Sequence, residues 1–304
     1  MILQGQILHG INNIYTVQSS GTQYECRIKG KVLKGTGVVY KPLAAGDYVA
    51  FVSDGPLVYK GMITERLPRK SEYSRWNRKR NAPQVIAANF DILVIVASVD
   101  QPPFRPRFVD RLLVMSDPLI ETVLVLNKAD KKIPDQFLER MEDYGKAGYR
   151  YLLTSAETGN GMGELAARIR NKTAVFAGQS GVGKSTILNV LFPDLSLRTG
   201  GISEKYNRGR HTTNYSRLIP VEGYSVIDTP GIREIEVFGI EPQDLVFRFP
   251  EFVPFSRKCF YPSCLHREEP GCGVREAVRE GVIHHDRYAS YRKILSDIRK
   301  TSGY

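Results

Sequence analysis

The sequence predicts a multidomain protein with an N-terminal β-barrel, a central α/β domain and a mostly helical C-terminal domain. Short apolar runs between Gly-rich turns occupy residues 1–67, and strand-like and helix-like segments alternate over 88–235. Residues 236–304 contain three of the four cysteines. Residues 68–87 are expected to form a basic linker. A chain of 304 residues is long enough for each part to bury its own core.

Composition and charge narrow the class of protein. Charged residues make up 25% and hydrophobic residues 42%, the ordinary composition of a globular chain, and the longest apolar run is too short to cross a bilayer. No secretory signal is evident, so we expect a cytoplasmic protein without a membrane partner. The net charge of +11 suits either a polyanionic partner or a merely solubilising surface, and charge alone does not separate these hypotheses.

The N-terminal part predicts a small closed barrel. Tyr24, Cys26 and Ile28 alternate with charged residues, and apolar runs follow at 47–52 and 58–63. About five strands in so short a segment favour the OB-fold, which often binds oligonucleotides, although a strand pattern does not demonstrate binding. Cys26 is expected to be a buried core thiol.

The segment from Arg66 to Arg80 is strongly cationic, with seven basic residues against one acidic. It also contains the only tryptophan, Trp76, and Tyr73. Cations and stacking side chains together favour an RNA contact. The alternative is a solvated connector whose Trp76 packs on a neighbouring domain.

The central part predicts a mainly parallel sheet with crossover helices. Its apolar runs lie at 92–97, 122–126, 151–153, 173–177 and 224–227, with helical segments between them.

A phosphate-binding loop is predicted at Gly178–Ser185, which fits G-x-x-x-x-G-K-[ST] between an apolar strand and a helix. Lys184 would neutralise the β and γ phosphates and thereby assist catalysis, and Ser185 would ligate Mg²⁺. The loop does not choose between ATP and GTP. The expected contacts are Gly178, Ser180, Gly181, Val182, Gly183, Lys184, Ser185 and Thr186.

The sequence Asn-Lys-Ala-Asp at 127–130 predicts that the nucleotide is GTP rather than ATP. Asp130 can accept hydrogen bonds from guanine N1–H and N2, Asn127 can bond N7 and brace the phosphate loop, and the Lys128 stem can lie across the base. Adenine would leave Asp130 unpaired, which costs on the order of several kcal/mol. Ser155 and Ala156 follow another strand, and the Ala156 N–H would reach guanine O6.

Asp-Thr-Pro-Gly at 228–231 closes the last apolar run. Asp228 would hold Mg²⁺ through a water, and the Gly231 N–H would sense the γ-phosphate. Between this element and the phosphate loop, Thr212 or Thr213 would bind Mg²⁺, and we favour Thr213.

The residue after Gly231 is Ile232, where Ras-like enzymes carry a water-orienting glutamine. We therefore expect slow intrinsic hydrolysis that depends on a partner. His211 is a candidate for the missing catalytic group, and the alternative is a histidine that contacts RNA or solvent.

Cys259, Cys264, His266 and Cys272 form a C-x4-C-x-H-x5-C pattern. Three thiolates and one imidazole are a closed tetrahedral set, which favours one structural zinc ion, and unmetallated cysteines are the alternative. A final amphipathic helix places Tyr288, Tyr291, Leu295 and Ile298 on one face, while its basic residues (Arg287, Arg292, Lys293, Arg299 and Lys300) occupy the others and could meet phosphate.

The base-binding elements precede the phosphate loop, so the motifs stand in circularly permuted order. Because such a site is assembled from loops at one sheet edge, chain order does not alter the pocket. The arrangement, with the barrel and the Cys/His pattern, resembles the bacterial ribosome small subunit-dependent GTPases over nearly the whole chain. The resemblance implies an OB domain, a permuted GTPase core, a zinc domain with this cysteine spacing, and action in late maturation of the 30S subunit; it also favours a catalytic His211.

We therefore predict a Mg²⁺-dependent GTPase that binds GTP and GDP, acts on the 30S subunit and its 16S rRNA, and is a monomer. One alternative is a nucleotide-gated RNA-binding protein whose hydrolysis is incidental. Another is a GTPase that acts on a different nucleic acid. Kinase chemistry is disfavoured, because the Asn-Lys-Ala-Asp and Asp-Thr-Pro-Gly elements together serve a switch.

Overall fold

The structure is a computed structural model that describes residues 2–28, 33, 41–55, 59–195, 215–232 and 235–301, with side chains described as far as Ile298. In these ranges, none of the helices combines the length and the apolar character needed to cross a membrane.

The N-terminal domain is a closed five-stranded barrel with the strand order β1-β2-β3-β5-β4, in which β1 also pairs with β4. Strands β3 and β5 run parallel and the other pairs run antiparallel. Cys26 and Phe51 are fully buried inside it, so the expected core thiol is confirmed. The strands are β1 (Ile2–Ile11), β2 (Ile14–Ser19), β3 (Thr22–Ile28), β4 (Tyr48–Ser53) and β5 (Lys60–Arg66).

The cationic segment after the barrel contains a β-hairpin, formed by β6 (Glu72–Asn77) and β7 (Ala82–Ala88). Tyr73 is fully buried in the core beneath it and donates a hydrogen bond to the Leu112 carbonyl at 3.3 Å, so the expectation that Tyr73 stacks on RNA is wrong. Trp76 is half-buried, and its ring centroid lies 5.5 Å from that of Phe238. Trp76 therefore packs against another part of the protein, as the alternative interpretation of this segment predicted.

The central domain is a six-stranded sheet with the order β10-β9-β8-β11-β13-β12, parallel except for β12. The five expected strands are present, and β12, an edge strand that contains Pro220, was missed because proline weakens a strand pattern and is tolerated at an edge. The strands are β8 (Ile92–Ser98), β9 (Glu121–Asn127), β10 (Arg150–Leu153), β11 (Thr173–Gly178), β12 (Arg217–Val221) and β13 (Tyr224–Asp228).

Helices cover both faces of this sheet because its strands are apolar on both sides. One core joins Leu93 and Ile95 to the helices α1 and α2, and the other joins Val94 and Val96 to α3 and α4. The helices are α1 (Pro106–Val114), α2 (Asp135–Lys146), α3 (Met162–Ile169) and α4 (Lys184–Leu191), followed by a 3-10 turn at Pro193–Leu195.

The C-terminal domain packs around Phe249, Phe252, Tyr291 and Leu295, and its core includes Val114 from α1. The apolar face predicted for the last helix is therefore confirmed. Its elements are 3-10 turns at Leu245–Arg248 and Pro250–Phe252, and helices α5 (Val253–Ser256), α6 (Gly273–Arg279) and α7 (His285–Thr301).

A buried ion network joins α7 to the central domain. Arg287 donates to Asp110 on α1 at 2.7 Å and to Glu251 at 2.6 Å, and Arg140 on α2 donates to the other oxygen of Asp110 at 2.8 Å. Arg287 is only 2% exposed, so the expectation that it could meet phosphate is wrong. Removal of one partner would leave a buried charge uncompensated at a cost of about 3–5 kcal/mol, so this network ties the two domains together.

Candidate nucleotide-binding and metal sites

The predicted nucleotide-binding residues lie at the carboxyl edge of the parallel strands. Strand β9 ends at Asn127, β11 at Gly178 and β13 at Asp228, while Ser155 follows β10 closely. Because the strands are parallel and adjacent, their carboxyl ends meet although the segments are distant along the chain. The sheet therefore brings the predicted base-binding and phosphate-binding elements to one edge.

The phosphate loop turns sharply between β11 and α4. Gly181 and Gly183 adopt φ values of +86° and +96°, in the left-handed region that favours glycine. A Cβ on Gly183 would lie 2.3 Å from Nδ2 of Asn127, so this position also needs glycine for space. Val182 is 1% exposed, which leaves its backbone rather than its side chain for the ligand. Ser180 and Thr186, by contrast, are exposed at the surface of the loop.

Lys184 begins α4 and folds back over the loop. Its Nζ donates to the Gly178 and Gln179 carbonyls at 3.0 and 2.8 Å. Burial, opposed by the nearby Asp228, lowers the pKa of Lys184 to about 8, and burial raises the pKa of Asp228 despite Lys184. Both charges thus sit in a poorly solvated place where a phosphate and a cation would each find a partner. Ser185, the next residue, is half-buried in the first turn of α4.

Asn127 bridges the base-binding loops and the phosphate loop. Its Nδ2 donates to the Val182 carbonyl at 3.0 Å, and its Oδ1 accepts from the Ala156 N–H at 3.2 Å and from Thr154 Oγ1 at 3.3 Å. The side chain is 2% exposed, so all three bonds are shielded from water. Asn127 therefore links its own loop to the phosphate loop and to the segment after β10.

Asp130 and Lys128 are held by different partners. The Ser155 hydroxyl donates to Asp130 Oδ1 at 2.6 Å, and this bond lowers the pKa of the exposed Asp130 carboxyl. Lys128 Nζ donates to the carbonyls of Asp100, Gln101 and Gly181 at 2.9, 2.6 and 3.1 Å. The Asp100–Gln101 segment carries no recognisable motif, so its contact with Lys128 was not expected.

The Asp-Thr-Pro-Gly element packs directly on the phosphate loop. A Cβ on Gly231 would approach Ser180 Cα to 2.8 Å, and the Ile232 N–H donates to the Gly178 carbonyl at 3.1 Å. Thr229 is 1% exposed and donates to the Phe176 carbonyl at 2.7 Å, an anchoring role that sequence reasoning did not assign. Ile232 is 1% exposed, which places an apolar side chain in the core beside this element. The expected roles of His211, Thr212 and Thr213 fall outside the described residues.

Cys259, Cys264, His266 and Cys272 converge as the spacing predicted, with their four donor atoms within 4.8 Å of one another. His266 Nδ1 lies 3.4 Å from the sulfurs of both Cys259 and Cys272, and those sulfurs lie 3.9 Å apart. Metal–sulfur bonds of about 2.3 Å give sulfur separations of about 3.8 Å around a tetrahedral ion. Burial and the neighbouring thiols raise the pKa of Cys264 to about 12, so a cation is needed to hold these groups as thiolates. The donors therefore fit one metal ion.

A shell of hydrogen bonds supports the metal loop. Burial opposes ionisation of Glu269, but backbone N–H groups that include those of Leu265 and Arg267, at 3.0 and 2.7 Å, lower its pKa to about 2. On α7, the Tyr288 and Tyr291 hydroxyls donate to the carbonyls of His266 and Leu265 at 2.7 and 3.2 Å. The loop is thus fixed by α7 as well as by its ligands.

Comparison with known proteins places this geometry in a family. Residues 66–238 match the model of the RsgA GTPase, and residues 4–56 match that of the RsgA N-terminal domain. The chain belongs to the RsgA GTPase family. It is accordingly a GTP-hydrolysing enzyme, as the motifs predicted.

Relatives in the RsgA family extend over the whole chain. A small ribosomal subunit biogenesis GTPase RsgA of Borrelia garinii subsp. bavariensis is 40% identical over 306 residues, covering 99% of this chain and 98% of the relative. A protein of the same name from Moorella thermoacetica is 39% identical over 298 residues, covering 97% of each.

Two solved structures share the architecture of this chain. The crystal structure of YjeQ from Thermotoga maritima aligns with a TM-score of 0.75 and 31% identity over all of both chains. YloQ, described as a circularly permuted GTPase, aligns with a TM-score of 0.71 and 29% identity, covering 99% of this chain and 96% of the other. The predicted fold class of barrel, permuted GTPase core and C-terminal metal-ligand domain is therefore confirmed.

Proposed function

We propose that this RsgA-family GTPase acts in biogenesis of the small ribosomal subunit as a nucleotide-controlled factor whose GTP turnover is stimulated by the subunit. The observation that carries the proposal is the Asn127 side chain, which bonds the phosphate loop and the segment after β10 at once. A base and its phosphates would therefore be held by one rigid unit. The names of the relatives supply the small subunit as the partner.

Guanine specificity rests on Asp130. Its exposed carboxyl is oriented by Ser155 and its pKa is lowered, so it stands ready to accept the two N–H groups of guanine. The Ala156 N–H, now bonded to Asn127 Oδ1, lies beside the same place and would turn to guanine O6. Lys128 would lie along the base while its Nζ keeps the three carbonyls that it now contacts.

Phosphate and Mg²⁺ would be held by the other half of the site. Gly178, Ser180, Gly181, Gly183 and Thr186 offer N–H groups or a hydroxyl, and Lys184 offers a charge. When bound, Mg²⁺ neutralises charge on the phosphates. Ser185 and Asp228 would ligate it, Asp228 through water, and Thr213 would complete the set. The Gly231 N–H would contact the γ-phosphate because its loop already packs against Ser180.

Hydrolysis by this arrangement should be slow without a partner. Ile232 is buried and has no polar side-chain group to orient a water, so another residue must do so. We infer that His211 serves this purpose when the protein is bound to the subunit, and that Lys184 stabilises the transition state. We expect His211→Ala to lower subunit-stimulated turnover by about 10- to 100-fold. Wild-type rates both with and without subunits would exclude His211 from catalysis.

The metal is proposed to be zinc, because a closed set of three thiolates and one imidazole suits a structural zinc site. Freshly purified protein should contain about one zinc per chain by elemental analysis. The ion would keep α5, α6 and the metal loop folded against α7, while the chemistry takes place at the sheet edge. A preparation that is folded, active and free of metal would contradict this assignment.

We also propose that the protein is cytoplasmic and binds 16S rRNA. The rRNA contact is supported by the charge of +11 and by the exposed cations on the β6–β7 turn. The decisive experiment compares GTP turnover with and without purified small subunits. We expect the subunit to raise the rate by about 10-fold or more. Equal rates of GTP turnover with and without subunits would contradict the proposal.

A second experiment separates a switch from incidental hydrolysis. A non-hydrolysable GTP analogue should trap the protein on the subunit, and GTP should allow release after turnover. Release that is equally fast with both nucleotides would favour an RNA-binding protein whose hydrolysis has no role.

A further inference from the structure

A cleft of about 650 Å³ opens at the edge of the central sheet opposite to the predicted nucleotide site. Glu121 and Arg150 line it where β9 and β10 begin, whereas the nucleotide-binding loops follow the other ends of these strands. The seven residues of β9 separate the two edges by roughly 20 Å. Phe247 and Arg248 of the C-terminal domain form the facing wall. We call this cleft the amino-edge cleft, and an occupant of it would leave the nucleotide site open.

The rim of the amino-edge cleft exposes one large apolar side chain from each domain. Leu119 of the central domain is 91% exposed, and Phe247 of the C-terminal domain is 59% exposed. The turn before β9 holds Leu119 in place, because Asp117 Oδ1 accepts a hydrogen bond from the Leu119 N–H at 2.9 Å. One exposed leucine is ordinary on a protein surface, but two large apolar side chains gathered at one cleft are typical of a contact with another molecule.

The same cleft contains cations that have no carboxylate partner. Arg168 is neutralised by Glu121 at 3.5 Å. Arg248 donates to the neutral Ser116 carbonyl at 2.7 Å, which links the two walls, and Arg150 is exposed. Among the residues that the structure describes, neither Arg150 nor Arg248 forms an ion pair. The cleft therefore combines an apolar rim with two guanidinium groups that can still receive an anion.

We propose that the amino-edge cleft binds a peptide segment of a small-subunit protein in which a large apolar side chain stands beside a carboxylate. The inference rests on the proposed function, which makes the small subunit the partner. The apolar side chain would lie between Leu119 and Phe247, and the carboxylate would accept hydrogen bonds from Arg150. Charge complementarity identifies the acidic group, because the planar fork of guanidinium donors matches two carboxylate oxygens.

RNA and small molecules fit the amino-edge cleft less well than a peptide does. Asp117 and Glu121 also line it, so a continuous row of phosphates would be repelled, and phosphate gains nothing from an apolar rim. Sites for small molecules usually cover roughly 70–90% of the ligand surface. A small molecule here would stay open to solvent beside Leu119, whereas a protein partner would cover both the rim and the cleft.

The first test measures binding by full-length variants in the presence of a non-hydrolysable GTP analogue. Each variant is titrated against purified small subunits and against 16S rRNA stripped of protein. Phe247→Ala is compared with Val282→Ala, an exposed valine of the same domain outside the cleft, and Arg150→Gln is compared with Arg170→Gln, an exposed arginine of the central domain outside it. We expect each cleft variant to lose about 10-fold in affinity for subunits and each control about 2-fold or less. Affinity for stripped rRNA should not distinguish a cleft variant from its control.

A second test does not depend on the loss of a side chain. Leu119→p-benzoylphenylalanine places a photo-reactive group at the rim, and mass spectrometry identifies what it cross-links in the complex with the subunit. We expect an adduct with a subunit protein, at a peptide that contains Asp or Glu beside a large apolar residue. Adding Arg150→Gln should lower its yield several-fold. Thermal unfolding and GTP turnover without subunits should match wild type, because both side chains are exposed and distant from the nucleotide edge.

Three results would overturn the assignment. Cleft variants that bind subunits as their controls do would show that the cleft is unoccupied in the complex. An equal loss of affinity for stripped rRNA, or an adduct with rRNA, would make the ligand a nucleic acid. The lack of any adduct would show that no partner reaches the rim. Failure of the proposed function would appear instead in the wild-type protein, as a lack of binding to subunits and of stimulation by them, and the cleft assignment would fall with it.

Discussion

The nucleotide site and the metal site both consist of loops, but the loops are held in different ways. At the nucleotide site, parallel strands deliver distant segments to one edge, and a single buried side chain, Asn127, ties them together. At the metal site, all four donors come from residues 259–272, and the shape depends on the donors, on Glu269 and on α7. The first site therefore depends on the sheet and tolerates permutation of the chain, whereas the second depends on local spacing.

The largest effect is expected when the metal site loses one of its ligands. Cys272→Ser removes one metal ligand, and we expect loss of the metal and a fall of about 4 kcal/mol or more in the free energy of unfolding. Elemental analysis and urea denaturation measure these changes. Cys26→Ser, which alters a buried barrel thiol, is the matched control and should keep the metal. Retention of metal by Cys272→Ser would show that the loop is held without this ligand.

A smaller effect is expected when a methyl group is added to a glycine of the phosphate loop. Gly183→Ala and Gly181→Ala both place a side chain at positive φ, which costs about 1–2 kcal/mol. Only the first also drives a methyl into Asn127, whereas the nearest atom to a Cβ on Gly181 lies 3.4 Å away. We expect Gly183→Ala to lose at least about 100-fold in GTP affinity and Gly181→Ala about 10-fold, by calorimetric titration. Equal losses would mean that the contact with Asn127 does not control the loop.

The smallest effect comes from single hydroxyl groups, one beneath each site. Thr229→Val deletes the bond to Phe176, and Tyr291→Phe deletes the bond to Leu265. Each should lower stability by about 1 kcal/mol in urea denaturation. The first should also weaken GTP binding and leave metal retention against a chelator unchanged, and the second should do the reverse. If each variant changed both readouts, the two sites would not be independent.

Much of this molecule follows from sequence pattern. The period-2 run around Cys26 predicted a barrel strand, and five apolar runs predicted five of the six strands of the central sheet. Strand β12 escaped because edge strands carry a weaker pattern. The hairpin at residues 72–88 was not predicted, because its cations and aromatic residues suggested a linker that contacts RNA.

Side-chain direction was harder to predict than element type. Tyrosine and arginine side chains have both apolar and polar parts, so they occur at the surface and in the interior of proteins. Only the tertiary packing shows that Tyr73 and Arg287 are both buried. Tyr73 is in the core under its hairpin, and Arg287 is buried because Asp110 and Glu251 accept its hydrogen bonds. The roles proposed for Thr213 and His211 remain predictions.

By itself, the sequence determined which residues are available for the chemistry: the predicted phosphate loop, the Asn-Lys-Ala-Asp element expected to select guanine, and the four potential metal ligands, because each depends on residue type at close spacing. The tertiary structure alone decided how distant segments meet. It joined Asn127 to Val182 and Ala156, and it buried Arg287 between two domains. The physical reason is that such contacts depend on which strand ends the sheet brings together and on which surfaces become buried away from water. Neither can be read from short stretches of sequence.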